Sequence, residues 1–307
     1  MSIVEVKGLY KKFKNIGAIK NLNLTVNKGE IFGLIGPDGA GKTTFLRLLT
    51  GVLLADAGTI KCCEVDVINN AEAVKEKIGV MPQNFSLYAD LTVEENLNFF
   101  AKMYRVEKSE CMVRQEKLLQ IAKLKPFLKR RAEHLSGGMQ KKLALISTLL
   151  HKPDLLLLDE PTTGVDPVSR RELWDFFYEL LKSGVTLIVS TPYMDEAERC
   201  SSVGFLYQGE LLFVDQPIKL KSDYPYAIIE ISGSDKNKIV ISQLAPGLKI
   251  IDLYPIANTV HLIIEKGAVK YLQEFFDRHK WSIVMKDIEP SFDDVFVSII
   301  RRQDEKH

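Results

Sequence analysis

Residues 31–44 read Ile31-Phe32-Gly33-Leu34-Ile35, a short apolar run, followed at once by Gly36-Pro37-Asp38-Gly39-Ala40-Gly41-Lys42-Thr43-Thr44. The second block matches G-x-x-x-x-G-K-[ST], and the residues beyond it (TTFLRLLTGVL) carry a helical pattern, so strand, glycine loop and helix stand in the order that motif requires. Glycines permit backbone angles that turn successive N–H groups inward, which makes a concave anion nest at a helix N-terminus. Within it Lys42 reaches β- and γ-phosphates as a point charge, and Thr43 offers a hydroxyl to Mg²⁺. Read as a mere glycine turn, the block would need neither the lysine nor the flanking strand and helix.

Residues 155–158, all leucine, lead into Asp159-Glu160-Pro161. An apolar strand with acids only at its C-terminal end puts them where α/β sheets bind ligands. Asp159 is the candidate Mg²⁺ holder, and Glu160 is placed to polarise an attacking water. VTLIVST (185–191) is a further continuous apolar run; such runs suit strands buried on both faces of a mainly parallel sheet. Residues 84–150 read as mostly helical, with Leu91 or Thr92 near a helix start, which predicts a helical subdomain inserted between two halves of the sheet. From 225 onward the order is YAIIEIS, a helical DKNKIVISQL, LKIIDLY, TVHLIIE, a helical AVKYLQEFFDRHK and WSIVMKD, closed by the amphipathic SFDDVFVSIIRR. Strand, helix, strand, strand, helix, strand is the pattern of a ferredoxin-like layer. The expected domains are therefore 1–222 (α/β) and 225–307 (α+β). No catalytic constellation is read in the second; Trp281 and Phe292 are taken as its core.

Bulk properties narrow the function. In 307 residues Lys plus Arg is 41 and Asp plus Glu is 40, a balance with no electrostatic case for nucleic acid as a partner. Cys62, Cys63, Cys111 and Cys200 have neither disulfide-framework nor zinc spacing, which suits a reducing compartment; the adjacent Cys62 and Cys63 read as small residues near a turn rather than as a redox pair. The first residues show no signal segment, and no stretch is apolar for long enough to span a bilayer, so a membrane role would come through a partner.

Two more segments carry a family resemblance. Leu135-Ser136-Gly137-Gly138-Met139 stands before the Asp159-Glu160 strand, and Gln83 lies between the two phosphate motifs. Phosphate loop, glutamine, LSGG and LLLLDEP in this order resemble the ABC ATPases over residues 1–222. The resemblance implies a P-loop NTPase (RecA-like) core and a head-to-tail dimer. Two ATP molecules would be sandwiched there, each between the phosphate loop of one cassette and the LSGG segment of the other. Ser136 and the N–H groups of Gly137 and Gly138 begin a helix, which supplies a second positive pole for the γ-phosphate; alone, they would read as a helix cap. By the same resemblance Gln83 contacts Mg²⁺ and water and links the site to the transport partner. Phe13 stacks on adenine, with a plain surface or core phenylalanine as the alternative, and Asp166 communicates across the dimer.

One position departs from the family. The segment Ser190-Thr191-Pro192-Tyr193-Met194-Asp195-Glu196-Ala197 carries proline where the family has a histidine that contacts the γ-phosphate. Proline offers no side-chain donor and no backbone N–H. None of His134, His151 and His261 lies in the right segment to substitute. The expectation is a site that binds ATP and hydrolyses it slowly, paired with a second, histidine-bearing cassette; the alternative is a homodimer that tolerates proline. GLIGPDGAGKTT, DPVSRREL and EPSFDDVF resemble type-2 export systems, notably the first cassette of tandem-cassette multidrug exporters. That resemblance implies integral membrane permease subunits as partners and a peripheral place on the cytoplasmic face. Residues 84–96, with Phe85, Leu87, Tyr88 and Leu91, would receive a coupling helix or else pack within the helical subdomain. Two competing readings are a non-transport ABC ATPase on ribosomes or nucleic acid and an importer ATPase with a regulatory tail. The basic group Lys123, Lys125, Lys129, Arg130 and Arg131 is read as a solvated face.

Overall fold

A computed structural model describes residues 1–84, 87–236 and 250–304. The chain divides into two compact units, Met1–Gln216 and Pro217–His307. The short helix Pro217–Ser222 therefore belongs with the second unit, not with the end of the first as the sequence reading had it.

The first unit is built on a six-stranded sheet in the order β10-β9-β3-β8-β7-β6. Its strands are β3 (Ile31–Ile35), β6 (Ile78–Met81), β7 (Leu155–Asp159), β8 (Thr186–Thr191), β9 (Ser202–Tyr207) and β10 (Glu210–Asp215). All neighbours are parallel except β9 and β10, which form a hairpin. Every residue of β3, β7 and β8 is buried, as continuous apolar runs require when both faces are covered. Register then fixes the site: Ile35 pairs with Thr191 and Asp159 with Ser190, so the loops leaving β3, β8 and β7 emerge side by side. Helix α1 (Lys42–Leu49) follows β3 directly.

The sequence reading did not separate out a second sheet. Strands β1 (Ser2–Phe13), β2 (Ile16–Asn27), β4 (Ala57–Cys62) and β5 (Val65–Asp66) form an antiparallel layer in the order β2-β1-β4-β5. In β2 buried and exposed residues alternate from Leu22 to Asn27, the period-two signature of a sheet with one wet face. The β9–β10 turn ties this layer to the phosphate loop. Gln208 and Gly209 both have positive φ (47° and 83°), the two-residue turn whose twist suits a hairpin. Gly209 N–H donates to Ala40 O at 3.0 Å, and Gly209 O accepts from Lys20 N–H at 2.8 Å. A side chain at Gly209 would start 2.9 Å from Ala18 O, so the turn admits only glycine.

Helices α3 (Val93–Met103), α4 (Lys108–Ala122) and α5 (Gly137–Thr148) lie between β6 and β7, where the inserted helical segment was expected. Thr92 caps α3 in a reciprocal box with Glu95, which explains why the helix starts there. Helix α6 (Pro167–Lys182) begins beyond β7.

In the second unit β11 (Tyr226–Ser232), β12 (Ile250–Ile256), β13 (Thr259–Glu265) and β14 (Val284–Ile288) pair antiparallel in the order β12-β13-β11-β14. That is the strand order of the split βαβ layer. The helix expected around residues 235–244 falls largely outside the described residues. Pro255 sits on the edge strand β12, where a missing N–H costs no ladder bond. Helix Val269–His279 buries Leu272 and Phe276 against Ile229, Ile231 and Leu262 on one face of the sheet. The final helix, Phe292–Asp304, buries Val295 in a cluster with Ile228 and Ile263 on the other. Ser291 caps it: its N–H donates to Asp294 Oδ2 at 2.8 Å, its Oγ accepts from Asp294 N–H at 3.2 Å, and Tyr254 OH also donates to Asp294.

Leu157, fully buried mid-β7, holds the strand that carries Asp159. Leu157→Ala is expected to cost the first unit about 2–5 kcal/mol. Urea unfolding followed by Trp174 fluorescence, with Trp281 replaced by phenylalanine, measures it.

Candidate functional site

The three loops at the ends of β3, β8 and β7 enclose a cavity of about 780 Å³. Its lining includes Asp38, Gly39, Gly41, Lys42, Thr43 and Thr44 from the phosphate loop, Gln83, Glu160, Thr163, Pro192 and Tyr193. Ile16, Gly17, Ala18 and Lys20 of β2, with Gln208 and Gly209, complete it. Those last residues were missed in sequence because they come from the antiparallel layer and the β9–β10 turn. Their nearness depends on tertiary packing that no local motif announces.

Glu160 is the hub. It is 8% exposed and has φ +47°, a backbone conformation uncommon for a residue with a side chain. Its carboxylate lies 3.5 Å from Lys42 Nζ, accepts from Gln83 Nε2 at 2.9 Å and from Thr163 Oγ1 at 3.3 Å. Lys42, 4% exposed, also donates to Gly36 O at 2.8 Å and Pro37 O at 3.0 Å. A buried ammonium so shared is held in place without a rigid one-to-one pair, and can serve an incoming anion.

Asp159 is held by a residue the sequence reading did not single out. Ser190 Oγ donates to Asp159 Oδ1 at 2.6 Å and accepts from Glu160 N–H at 3.0 Å, so one hydroxyl at the end of β8 orients both acids. Thr43, Gln83 and Asp159 together line an adjoining cavity of about 420 Å³. Hydroxyl, amide oxygen and carboxylate are hard donors of the kind Mg²⁺ takes. Among the described residues no group of three or more His, Cys, Asp or Glu could hold a metal unaided. The residues thus fit a Mg²⁺ shared with a ligand's phosphates, the usual arrangement for that ion.

The LSGG segment lies apart from this cavity. Ser136 caps α5 by accepting from Met139 N–H at 3.3 Å; Ser136 and Gly137 are exposed, Leu135 and Gly138 buried, Met139 half-buried. A Cβ on Gly138 would meet Ser169 Cβ and Oγ at 2.4 Å, so α5 and α6 approach too closely there for any side chain. Asp166 caps α6, accepting from Val168 N–H at 3.1 Å and Ser169 N–H at 3.0 Å, and these donors hold its carboxyl below the usual range. Signature helix and Asp166 helix are thereby packed as one piece. Lys141, on α5, donates to Gln83 O at 3.1 Å, and burial keeps its ammonium's pKa below the ordinary lysine value.

Phe13 does not line the cavity. It ends β1, 46% exposed, under the Lys11 ammonium at 5.6 Å, while its ladder partner Ile16 does line it. Pro192 follows β8, the strand between β3 and β7, and its neighbour Tyr193 stacks under the Arg170 guanidinium at 4.5 Å. Among the described residues no histidine lines the cavity beside Pro192: His134 lies beside Glu133, His151 bonds Ile78 O at 2.9 Å, and His261 lies beside Glu230 in the second unit. Leu87, Tyr88 and Leu91 are part-exposed, with Tyr88 packed on Phe99 at 4.4 Å; Phe85 lies outside the described residues. Of the basic group, Lys123, Lys125, Lys129 and Arg131 each face an acid within 4 Å, as a solvated, ion-paired surface does. Among the described residues no helix is long and apolar enough to cross a membrane.

Comparison with known proteins agrees with this geometry. A family described as "ABC transporter" matches residues 19–163. The chain is 37% identical over 302 residues to a probable multidrug ABC transporter ATP-binding protein, YbhF, of Escherichia coli, covering 97% of this chain and 52% of that one. The chain thus spans about half the length of the first curated relatives it matches. It is 36% identical over 235 residues to Nod factor export ATP-binding protein I of Ralstonia nicotianae, covering 76% and 73% of the two chains. Among solved structures, an ATP-binding subunit of an ABC transporter superposes with TM-score 0.65 at 27% identity, covering 72% of this chain and 93% of the other. A dimeric post-hydrolysis ATP-binding cassette bound to ADP and Pi gives TM-score 0.62 at 26% identity, covering 69% and 98%.

The α5–α6 contact can be tested directly. Gly138→Ala is expected to destabilise the first unit by about 1–3 kcal/mol. Adding Ser169→Gly should recover part of that loss in a double-mutant cycle of thermal unfolding, because the clash is with Ser169 alone.

Proposed function

This chain belongs to the ABC transporter family of ATP-binding subunits, and from that premise we propose that it binds and hydrolyses ATP to drive export through separate integral membrane permease subunits. The observation that carries the reading is the convergence of Lys42, Glu160 and Gln83 on one cavity at the ends of parallel strands. The names of the relatives, multidrug and Nod factor export, favour export over import, and nothing in them points to ribosomes or nucleic acid. The working place is the cytoplasmic face of the membrane, where ATP is available.

Chemistry follows from charge placement. The phosphate-loop N–H groups and Lys42 hold the β- and γ-phosphates, and Thr43 and Asp159, with Gln83, hold Mg²⁺. The Mg²⁺, when bound, neutralises charge that develops on the transferring phosphoryl group. Glu160, buried beside Gln83 and Thr163, accepts a hydrogen bond from the attacking water and orients it. Phe13, at the tip of the β1–β2 hairpin, closes on the adenine. Gly137 and Gly138 at the start of α5 supply the opposite wall of a second cassette's site, with Asp166 at the junction of the two. Leu87, Tyr88 and Leu91, together with Gln83, face the permease.

Pro192 sets the rate. It lines the cavity from the end of β8, the strand between β3 and β7, without a donor, so the γ-phosphate gains no hydrogen bond from its side chain. The chain's own site is therefore slow, and its intact LSGG segment completes a faster site on a second, distinct cassette. Steady-state ATP hydrolysis by the purified chain across protein concentration tests this. Pro192→His should raise turnover about 10-fold or more, since one donor to a developing charge is worth at least that. Glu160→Gln should abolish turnover while ATP binding persists. Fast, cooperative hydrolysis by the unmodified chain, unchanged by Pro192→His, would replace the paired-cassette reading with a self-sufficient homodimer.

A further inference from the structure

A carboxylate stands in the phosphate loop itself. Asp38 is exposed and lines the 780 Å³ cavity beside Gly39, Lys42 and Thr43. No hydrogen bond or ion pair engages it among the described residues, and it does no work for α1, whose cap is Gly41 with no side-chain bond and whose first turn holds no acid. The other charges on the lining are matched. Lys42 lies 3.5 Å from Glu160, and Lys20 lies 3.7 Å from Glu210. Side chains thus contribute no net positive charge to a cavity shaped for a polyanion, and the unmatched charge at its mouth is negative. Attraction for phosphate comes from the backbone nest, the start of α1 and Lys42, whose charge Glu160 already offsets.

We propose that Asp38 makes this cavity select its nucleotide by net charge, admitting ATP as the Mg²⁺ complex and repelling the free, more highly charged form. The inference rests on the reading of the cavity as an ATP site. Coulomb repulsion scales with the product of charges, so a fixed carboxylate penalises free ATP, with four negative charges, twice as much in free energy as Mg·ATP, with two. An amide has the same shape without the charge. Removing the charge therefore leaves a signature no merely structural role produces. The gain in affinity for free ATP is the square of the gain for Mg·ATP, and both shrink as salt rises.

Isothermal titration of the full chain with ATP in excess Mg²⁺, and with ATP in EDTA, tests it for the unmodified protein, Asp38→Asn and Asp38→Glu at low and physiological salt. Asp38→Asn is expected to tighten Mg·ATP binding about 5-fold and free ATP about 25-fold at low salt, with both gains reduced at the higher salt. Asp38→Glu, which keeps the charge, should behave as the unmodified chain. Equal gains for the two forms, no gain, or weaker Mg·ATP binding by Asp38→Asn would each overturn the proposal; the last would make Asp38 a cation ligand. If no variant binds either form, the reading of the cavity as a nucleotide site falls instead.

Discussion

A strand buried on both faces has room for polar side chains only where it ends. In β3, β8 and β7 every residue is buried, so polar side chains stand only at strand ends, Ser190 and Thr191 closing β8 and Asp159 closing β7. Parallel pairing puts all three C-terminal ends on the same rim, and the order β3-β8-β7 makes them neighbours. From that constraint follow the shared carboxylate of Glu160, the Ser190 hydroxyl that holds Asp159, and the position of Pro192 between the two phosphate motifs. Without the ladder register, Lys42 and Glu160 would be two charges far apart in sequence with no reason to meet.

Much of this rim was legible in the residues alone. Phosphate loop and acids at a strand end are local signals, while the glutamine stood out only by the family resemblance; the structure brings Lys42, Glu160 and Gln83 to one cavity. The proline after VTLIVST was equally legible, because it is defined by what surrounds it. What stayed hidden is contributed by segments whose local pattern says only that they are strands. The alternation along β2 could have revealed a half-wet antiparallel layer, yet nothing in it tells that Ile16, Gly17 and Ala18 close the cavity. The β9–β10 turn is a similar case. Gln208-Gly209 is a good hairpin turn by composition, while its hydrogen bonds to Ala40 and Lys20 arise from the meeting of two sheets. Ser190 was visible only as a serine near the end of an apolar strand, where many serines do nothing for a neighbouring acid.

The second unit illustrates the reverse. Its strand order is the one its strand and helix pattern suggested, and the Ser291–Asp294 box marks the start of the last helix in four residues of sequence. Tyr254 adds what patterning could not supply, a hydroxyl from β12 aimed at the same carboxylate. Burial and that acid together push the Tyr254 phenol above its ordinary pKa, so it stays a donor throughout the physiological range and the last helix is pinned to the sheet by a neutral group.

Pro192 has an evolutionary side as well. The β8 ladder stops at Thr191, and the next backbone bond is Tyr193 N–H to Thr191 Oγ1, so the sheet never asks position 192 for an N–H. The fold is therefore indifferent to proline there. Histidine and proline codons differ by a single base, which leaves the two states of this position one mutation apart with no folding barrier between them. On the role proposed for Pro192, that exchange retunes turnover in either direction without rebuilding anything around it.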